Sequence, residues 1–152
     1  MPEPSGAGPD APGAGPDDAG AATGWEDRLS PSLDEMTVMA EATLRALPEP
    51  FAALAHDVVC RVAEFPDEET LDEMGFESEF DLLGLFRGTA TTLDPATLQE
   101  PNAVWLYRRP ILDYWAEHEE PLGAIVTHVL VHELGHHLGL SDEDMEAIER
   151  AG

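Results

Sequence analysis

Residues 132–142 read HELGHHLGLSD and place two histidines, His132 and His136, four positions apart with a glutamate directly after the first. Residues four apart lie on one face of an α-helix, with about 5–6 Å between their Cβ atoms, so two imidazoles can reach one metal ion. Glu133 is turned about 100° around the helix axis from His132, toward a water on the metal rather than the metal itself. The pattern predicts a zinc site with a general base beside it.

A third ligand has to come from outside these two helical turns. Catalytic zinc commonly has three protein ligands and one open position. Gly139 can end the helix in the left-handed conformation and reverse the chain, which makes Asp142 the predicted third ligand. Ser141 followed by acids is also typical of a helix N-terminus, so a capping role is the alternative for Asp142. The alternative third ligands are the nearby acids Glu143, Asp144 and Glu146.

The helix that must carry the histidines is apolar nearly all the way round, which is typical of a buried helix. Its apolar residues are Ile125, Val126, Val129, Leu130, Val131, Leu134 and Leu138. Burying imidazoles and a carboxylate without partners is costly, so the pattern favours a metal ion that compensates them. The alternative is a purely structural protein whose histidines are hydrogen-bonded core residues.

From about residue 47 to residue 148 the chain resembles the small bacterial zincin-type metallopeptidases whose motif is HExxHxxGxxD. The resemblance is carried by the segments 47–48, 65–68, 81–88 and 106–112 and by the motif helix. It implies a single-domain α+β zincin-like fold with a small, mostly antiparallel sheet packed on the buried motif helix. It also implies one zinc ion per chain, held by His132, His136 and Asp142.

The activity that this resemblance implies is zinc-dependent hydrolysis of peptide bonds by a zinc-activated water, with Glu133 as general base. The substrate would then be a peptide or a protein. A catalytically silent zinc-binding regulatory or interaction module is the alternative. Nitrogen and carboxylate ligands also accept other divalent first-row metals, with zinc as the default.

The larger metzincin proteases differ from this chain in two respects. Their third ligand is usually a histidine, and a methionine-bearing turn well downstream lies beneath the metal. Met145 follows Asp142 too closely to form such a turn. We therefore expect Met145 to be a packing residue on the last helix.

The charge balance limits the possible partners. There are 32 acidic residues against 7 basic ones, all arginines, which gives a formal net charge of −25 at pH 7. Phosphate backbones are repelled by such a chain, so neither nucleic acid nor an anionic membrane is an expected partner. No signal-peptide pattern or membrane-length apolar run is present, and the single cysteine, Cys60, excludes an internal disulfide, so a cytoplasmic location is expected. Cys60 itself reads as a buried small hydrophobe in a strand.

The chain divides by composition into two parts. Residues 1–30 are predicted to be a disordered acidic tail rich in Pro, Gly and Ala. The resemblance implies that the rest, residues 31–152, is the zincin-like metallopeptidase domain. Within the domain the order reads helix, helix, strand, helix, strand, strand and three helices, which favours an α+β fold over a doubly wound parallel sheet. A capping box of Ser32 and Glu35 opens the first helix through about Ala46, and Pro48 begins the second. The predicted strands are 58–64, 83–87 and 103–109, and the last helices are 110–118, 121–138 and 142–150.

Two supporting roles are left with alternatives. The segment 104–108 or the segment 83–87 could be an exposed edge strand that pairs with an extended substrate. The alternative is an ordinary sheet strand packed under the motif helix. The candidate donors to a developing oxyanion are Tyr107, Tyr114, Arg108, Arg109 and His128. His128 lies one turn before His132 on the same face. The preferred interpretation is that His128 is either a core residue or a hydrogen-bonding partner of a metal ligand.

Overall fold

A computed structural model describes residues 24–88 and 102–151. The described residues fall into two units that divide after Ser30. In the first unit, the Arg28 guanidinium lies over the Trp25 ring at 4.9 Å from its centroid, and the Arg28 N–H donates to the Trp25 carbonyl. Residues 1–23 of the predicted disordered tail lie outside the described residues, and the disorder of residues 1–30 stays a prediction.

The second unit begins with helix α1, Leu33–Arg45. The Ser32 hydroxyl accepts from the Glu35 N–H at 3.0 Å, and the Glu35 carboxylate accepts from the Ser32 N–H at 2.9 Å. These reciprocal bonds satisfy two of the N–H groups that a helix start leaves unpaired. The predicted capping box is confirmed.

Helix α2 spans Phe51–Ala55, so the prediction that Pro48 begins this helix is wrong. A proline disfavours the α conformation in the residue before it, and Pro50 imposes that restriction on Glu49. The helix therefore begins after Pro50. The Phe51 N–H donates to the Pro48 carbonyl at 2.9 Å, which closes the turn that leads into it.

The described strands form one sheet in the order β1-β3-β2, where β1 is Val58–Ala63, β2 is Gly84–Arg87 and β3 is Asn102–Tyr107. β1 pairs with β3 in parallel and β2 pairs with β3 antiparallel. The sheet is therefore mixed, and the expectation of a mostly antiparallel sheet is corrected in this detail. The reason is that β3 enters between the two earlier strands, which run in opposite directions.

Helix α3, Glu68–Met74, connects β1 to β2. The Asp67 carboxylate caps it by accepting from the Thr70 N–H at 2.7 Å, and Gly75 ends it with a φ of 77°. Only a residue that tolerates positive φ closes a helix in this way without strain.

Three helices follow the sheet: α4 is Arg108–Glu117, α5 is Leu122–Leu138 and α6 is Asp142–Ala151. The predicted strand 103–109 is wrong at its end, because Arg108 and Arg109 are already helical. Proline is tolerated in the first turn of a helix, where its missing N–H costs nothing, so Pro110 marks the first turn and not the first residue. Among the described residues, the predicted order of the elements and the α+β class are confirmed.

The main core lies between one face of the sheet and helices α1 and α5. Val104 and Leu106 of β3 and Leu130 of α5 are fully buried there. A smaller cluster of Leu82, Leu85 and Tyr107 covers the other face. Among the described helices, none has the length and the continuous apolar character that a bilayer crossing needs.

Cys60 of β1 is buried and free, as predicted. Burial, with a smaller contribution from the negative charge of Glu41, raises the pKa of its thiol to about 11. The side chain is therefore a neutral thiol at physiological pH and behaves as a small apolar residue.

Candidate metal centre

Helix α5 is buried along one side and emerges into solvent at its C-terminal end. Leu134 is fully buried, His132 and Glu133 are half-buried, and the side chain of His136 is 58% exposed. The candidate ligands thus lie where a core helix reaches the surface. Such a position combines a fixed backbone with an accessible face.

Gly135 is the point at which helix α6 packs on α5. A Cβ atom at Gly135 would lie 2.1 Å from Sδ of Met145 and 2.8 Å from its Cγ. Met145 is fully buried in the main core, as predicted for a packing residue. The glycine inside the motif therefore allows α6 to approach the histidine-bearing helix closely.

The turn between α5 and α6 has the predicted reversal at Gly139, whose φ is 80°. At the start of α6, the Ser141 hydroxyl accepts from the Asp144 N–H at 3.1 Å, and the Asp144 carboxylate accepts from the Ser141 N–H at 3.4 Å. Ser141 and Asp144 thus provide the cap. The Asp142 carboxylate lies 3.7 Å from Nε2 of His136.

The structure brings together the three predicted ligands His132, His136 and Asp142. One ligand atom from each lies within 4.8 Å of the other two. Nε2 of His132 is buried and has no hydrogen-bond partner among the described residues. Two imidazole nitrogens and a carboxylate oxygen are a donor set that zinc accepts, so the residues fit the predicted ion.

The electrostatics of His132 suit a ligand. Burial, and secondly the neighbouring His128, lower the pKa of the His132 imidazole. A lowered pKa favours the neutral ring, and only the neutral ring has a lone pair to offer a metal. The assignment of these three residues as ligands stays a prediction that the geometry accommodates.

Glu133 points from α5 to the edge of the sheet. Its Oε1 accepts a hydrogen bond from the Phe86 backbone N–H at 3.1 Å. Burial raises the pKa of the Glu133 carboxyl, and the hydrogen bond from Phe86 partly opposes that change. The carboxylate is held in place and is more basic than an exposed glutamate.

β2 runs alongside α5 with matched spacing. Gly84 lies against Val129, Phe86 against Glu133, and Gly88 against His137. Two residues of a strand span about 6.6 Å and four residues of a helix span about 6 Å, so every second residue of this segment meets every fourth residue of α5. The Phe86 ring stacks on the His137 imidazole at 4.2 Å between centroids. Sequence reasoning missed Phe86, since its contribution to Glu133 is a backbone N–H that every residue but proline has.

Of the two interpretations left open for 104–108, the structure supports the ordinary sheet strand, because β3 pairs with both of its neighbours. Between the two candidate strands, β2 is the one at an edge among the described strands. A cleft of about 1030 Å³ is lined by residues of the three described strands and of α3. Arg61, Trp105 and Arg87 line this cleft, and the predicted metal ligands do not.

The candidate oxyanion donors have other contacts. Arg108 donates to the Pro31 carbonyl at 2.6 Å and to Glu64 at 2.9 Å. Tyr114 stacks on His118 at 3.7 Å, and the Arg109 guanidinium lies over Phe65. Tyr107 is buried in the smaller cluster. These contacts give each side chain a packing role, and the oxyanion assignment stays open.

His128 is not a core residue, because its side chain is 52% exposed. Its ring lies 4.0 Å from that of His132, and its Nδ1 lies 3.3 Å from Oε2 of Glu149 on α6. Sequence reasoning missed Glu149. The available signal was its position four residues after Met145, on the helix face that packs on α5.

Comparison with known proteins adds one match. The sequence profile described as zincin-like metallopeptidase matches residues 55–151. A search of curated proteins finds no match to the chain.

Proposed function

Because the chain belongs to the zincin-like metallopeptidase family, we propose that it is a zinc-dependent peptidase in which Glu133 is the general base. His132, His136 and Asp142 would hold the ion. The observation that carries this proposal is the convergence of their three ligand atoms within 4.8 Å, with the Glu133 carboxylate on the next position of the same helix.

A bound zinc ion would lower the pKa of a water molecule to about 7 and polarise a carbonyl oxygen. Glu133 would take the proton from the attacking water and pass it to the leaving amine. Burial raises the pKa of Glu133, which makes it a better proton acceptor than an exposed glutamate, and the Phe86 N–H orients the carboxylate. The exposed side chains of His136 and Asp142 leave this face open to a substrate.

Peptides and proteins are the proposed substrates, and the charge of the chain favours cationic ones. With a formal net charge of −25, long-range attraction concentrates positively charged peptides near the surface and repels polyanions such as nucleic acids. Peptides that carry arginine or lysine are therefore the first to test.

The decisive experiment compares the wild type with Glu133→Gln. The amide keeps the size of the side chain but cannot take a proton, so cleavage of a quenched fluorescent peptide library should slow by about 10²–10⁴-fold. Zinc content, measured by plasma mass spectrometry, should not change. Glu117→Gln, at an exposed position on α4, is the matched control and should cleave at the wild-type rate.

Three results would contradict the proposal in different ways. Full activity of Glu133→Gln would remove Glu133 as the base. Stoichiometric zinc in a wild type that cleaves no library peptide would favour a silent zinc-binding module. A wild type that binds no zinc after the metal is supplied would favour a purely structural domain.

A further inference from the structure

His128 and Glu149 form a contact outside the proposed catalytic set. Oε1 of Glu149 lies 3.2 Å from Nδ1 of His128, although the hydrogen bond itself is made by Oε2 at 3.3 Å. The His128 and His132 rings are tilted by 40° with their centroids 4.0 Å apart. One ligand atom from each of His128, His132 and Glu149 lies within 4.8 Å of the other two.

Two atoms of this group are buried without a hydrogen bond. Among the described residues, Nε2 of His132 and Oε1 of Glu149 are the buried side-chain atoms that make no hydrogen bond. A buried polar atom left unsatisfied costs about 1–3 kcal/mol, so native proteins nearly always supply one with a partner. His132 and Glu149 belong to the same group of possible ligands, so one cation bound there would give both residues a partner.

We propose that His128, His132 and Glu149 form a second site for a divalent transition metal, which competes with the proposed catalytic set for His132. Two imidazoles and one carboxylate suit zinc, cobalt(II) and nickel(II) rather than magnesium or calcium. A neutral imidazole has one lone pair, so His132 binds one ion at a time. A metal ion on the second group withdraws His132 from His136 and Asp142.

The positions of the ligands in the fold support this site. His128 precedes His132 by four residues, as His132 precedes His136, so one face of α5 offers two overlapping pairs of imidazoles. α6 contributes one carboxylate to each pair, Asp142 from its first residue and Glu149 from near its end. Met145, packed on Gly135, fixes α6 against α5 between these two carboxylates.

The regulatory consequence rests on the proposed function, whereas the binding site itself does not. If the catalytic set needs His132, an ion held by the second group leaves the peptidase inactive. Because only one of the two groups can hold an ion at a time, the share of bound zinc on the second group is set by the ratio of the two affinities and not by the zinc concentration. At saturating zinc, Glu149→Gln should therefore be more active than the wild type.

The test is cobalt(II) binding, followed by visible absorption and by equilibrium dialysis with metal analysis. His136→Ala/Asp142→Ala removes the catalytic set and leaves the second group. His128→Asn/Glu149→Gln does the reverse, and His132→Ala removes both. Far-UV circular dichroism and a thermal melt identify any variant that fails to fold, in which case the single conservative change Glu149→Gln replaces the double one.

We expect one cobalt ion on the wild type and one on His136→Ala/Asp142→Ala. In that background, adding Glu149→Gln should weaken binding at least about tenfold, the smallest loss typical of disturbed metal sites. No binding to His136→Ala/Asp142→Ala, beside normal binding to His128→Asn/Glu149→Gln, would overturn the second site and leave the proposed function intact. Binding that persists after Glu149→Gln and His128→Asn are both added would also overturn it.

Two further results separate this proposal from the proposed function. Cobalt binding to His136→Ala/Asp142→Ala but not to His128→Asn/Glu149→Gln would support the second site and overturn the catalytic ligand set. Two ions bound tightly to the wild type would overturn the competition for His132.

Discussion

The buried and exposed sides of helix α5 differ in what holds their residues in place. On the buried side, Gly135 meets Met145 with no room for a methyl group. On the exposed side, the His136 and Asp142 side chains are 58% and 76% exposed and lie 3.7 Å apart. The contact between Gly135 and Met145 fixes the backbone, whereas the side chains of His136 and Asp142 can adjust their positions to an ion.

This difference suggests that the two sides contribute to different quantities. A close-packed interior loses stability when an atom is removed or added. Exposed side chains contribute little to stability, usually within about 0.5 kcal/mol, but can decide affinity for a ligand. Changes on the buried side should therefore alter the free energy of unfolding, and changes on the exposed side the affinity for zinc.

The largest effect on stability is expected from Met145→Ala. Removing a fully buried methionine side chain leaves a cavity and costs about 2–5 kcal/mol of unfolding free energy. Urea unfolding followed by circular dichroism measures this loss. Met74→Ala, at a methionine that is 46% exposed, is the matched control, and an equal loss in both variants would contradict the comparison.

Gly135→Ala should destabilise by about 1–3 kcal/mol, because the added methyl overlaps Met145. Gly123→Ala in the same helix meets nothing within 4 Å and should be neutral or stabilising. A double-mutant cycle sharpens the test, since Gly135→Ala should cost less in the Met145→Ala background. Strict additivity would show that the two residues do not share this contact.

Ser141→Ala should lower the unfolding free energy by about 0.5–2 kcal/mol, the usual loss for an N-cap. The hydroxyl accepts from the Asp144 N–H, and alanine cannot replace it. Ser141→Asn, which keeps a capping oxygen, should retain the stability. If Ser141→Ala and Ser141→Asn unfold at the same urea concentration, the cap contributes nothing measurable.

The smallest effect on stability is expected from Asp142→Ala, within about 0.5 kcal/mol for an exposed residue. Losing an outer partner of a ligand already weakens metal binding by about 10–100-fold. In the His128→Asn/Glu149→Gln background, where the second group is removed, loss of a direct ligand should therefore raise the Kd for zinc by at least about 100-fold. Competition with a chromogenic chelator measures this. Glu143→Ala, the next acid of the same helical turn, should not change the Kd. An equal change in both variants would show that Asp142 is not a ligand and only interacts with the helix dipole.

The features that could be predicted from sequence are those encoded locally. The apolar residues of α5 from Ile125 to Leu134 are buried as predicted, whereas Leu138 at its end is 40% exposed. Ser32 and Glu35 form a cap within one turn, and Gly139 reverses the chain at a positive φ. Each of these depends on residues at most a few positions apart. The approach of His136 to Asp142 belongs to this class, because one tight turn joins them.

The features that could not be predicted depend on contacts between distant segments. The place of β3 in the middle of the sheet follows from which strands meet, and the β propensity of each strand does not encode that. The Phe86 N–H that binds Glu133 is a backbone group with no sequence signature. In the sequence, Glu149 cannot be distinguished from the other acidic residues of this chain. Its position beside His128 follows from the packing of Met145 on α5.

The hydrogen bond between Glu133 and Phe86 has a consequence for how copies of this protein meet. β2 is a short edge among the described strands, and an unpaired N–H along such an edge is a template for another chain. The Glu133 carboxylate already accepts the Phe86 N–H, and Arg87 adds a charge beside it. A second copy cannot extend the sheet here without displacing Glu133. The carboxylate that we assign to proton transfer therefore also occupies one of the N–H groups that this edge would offer to another strand.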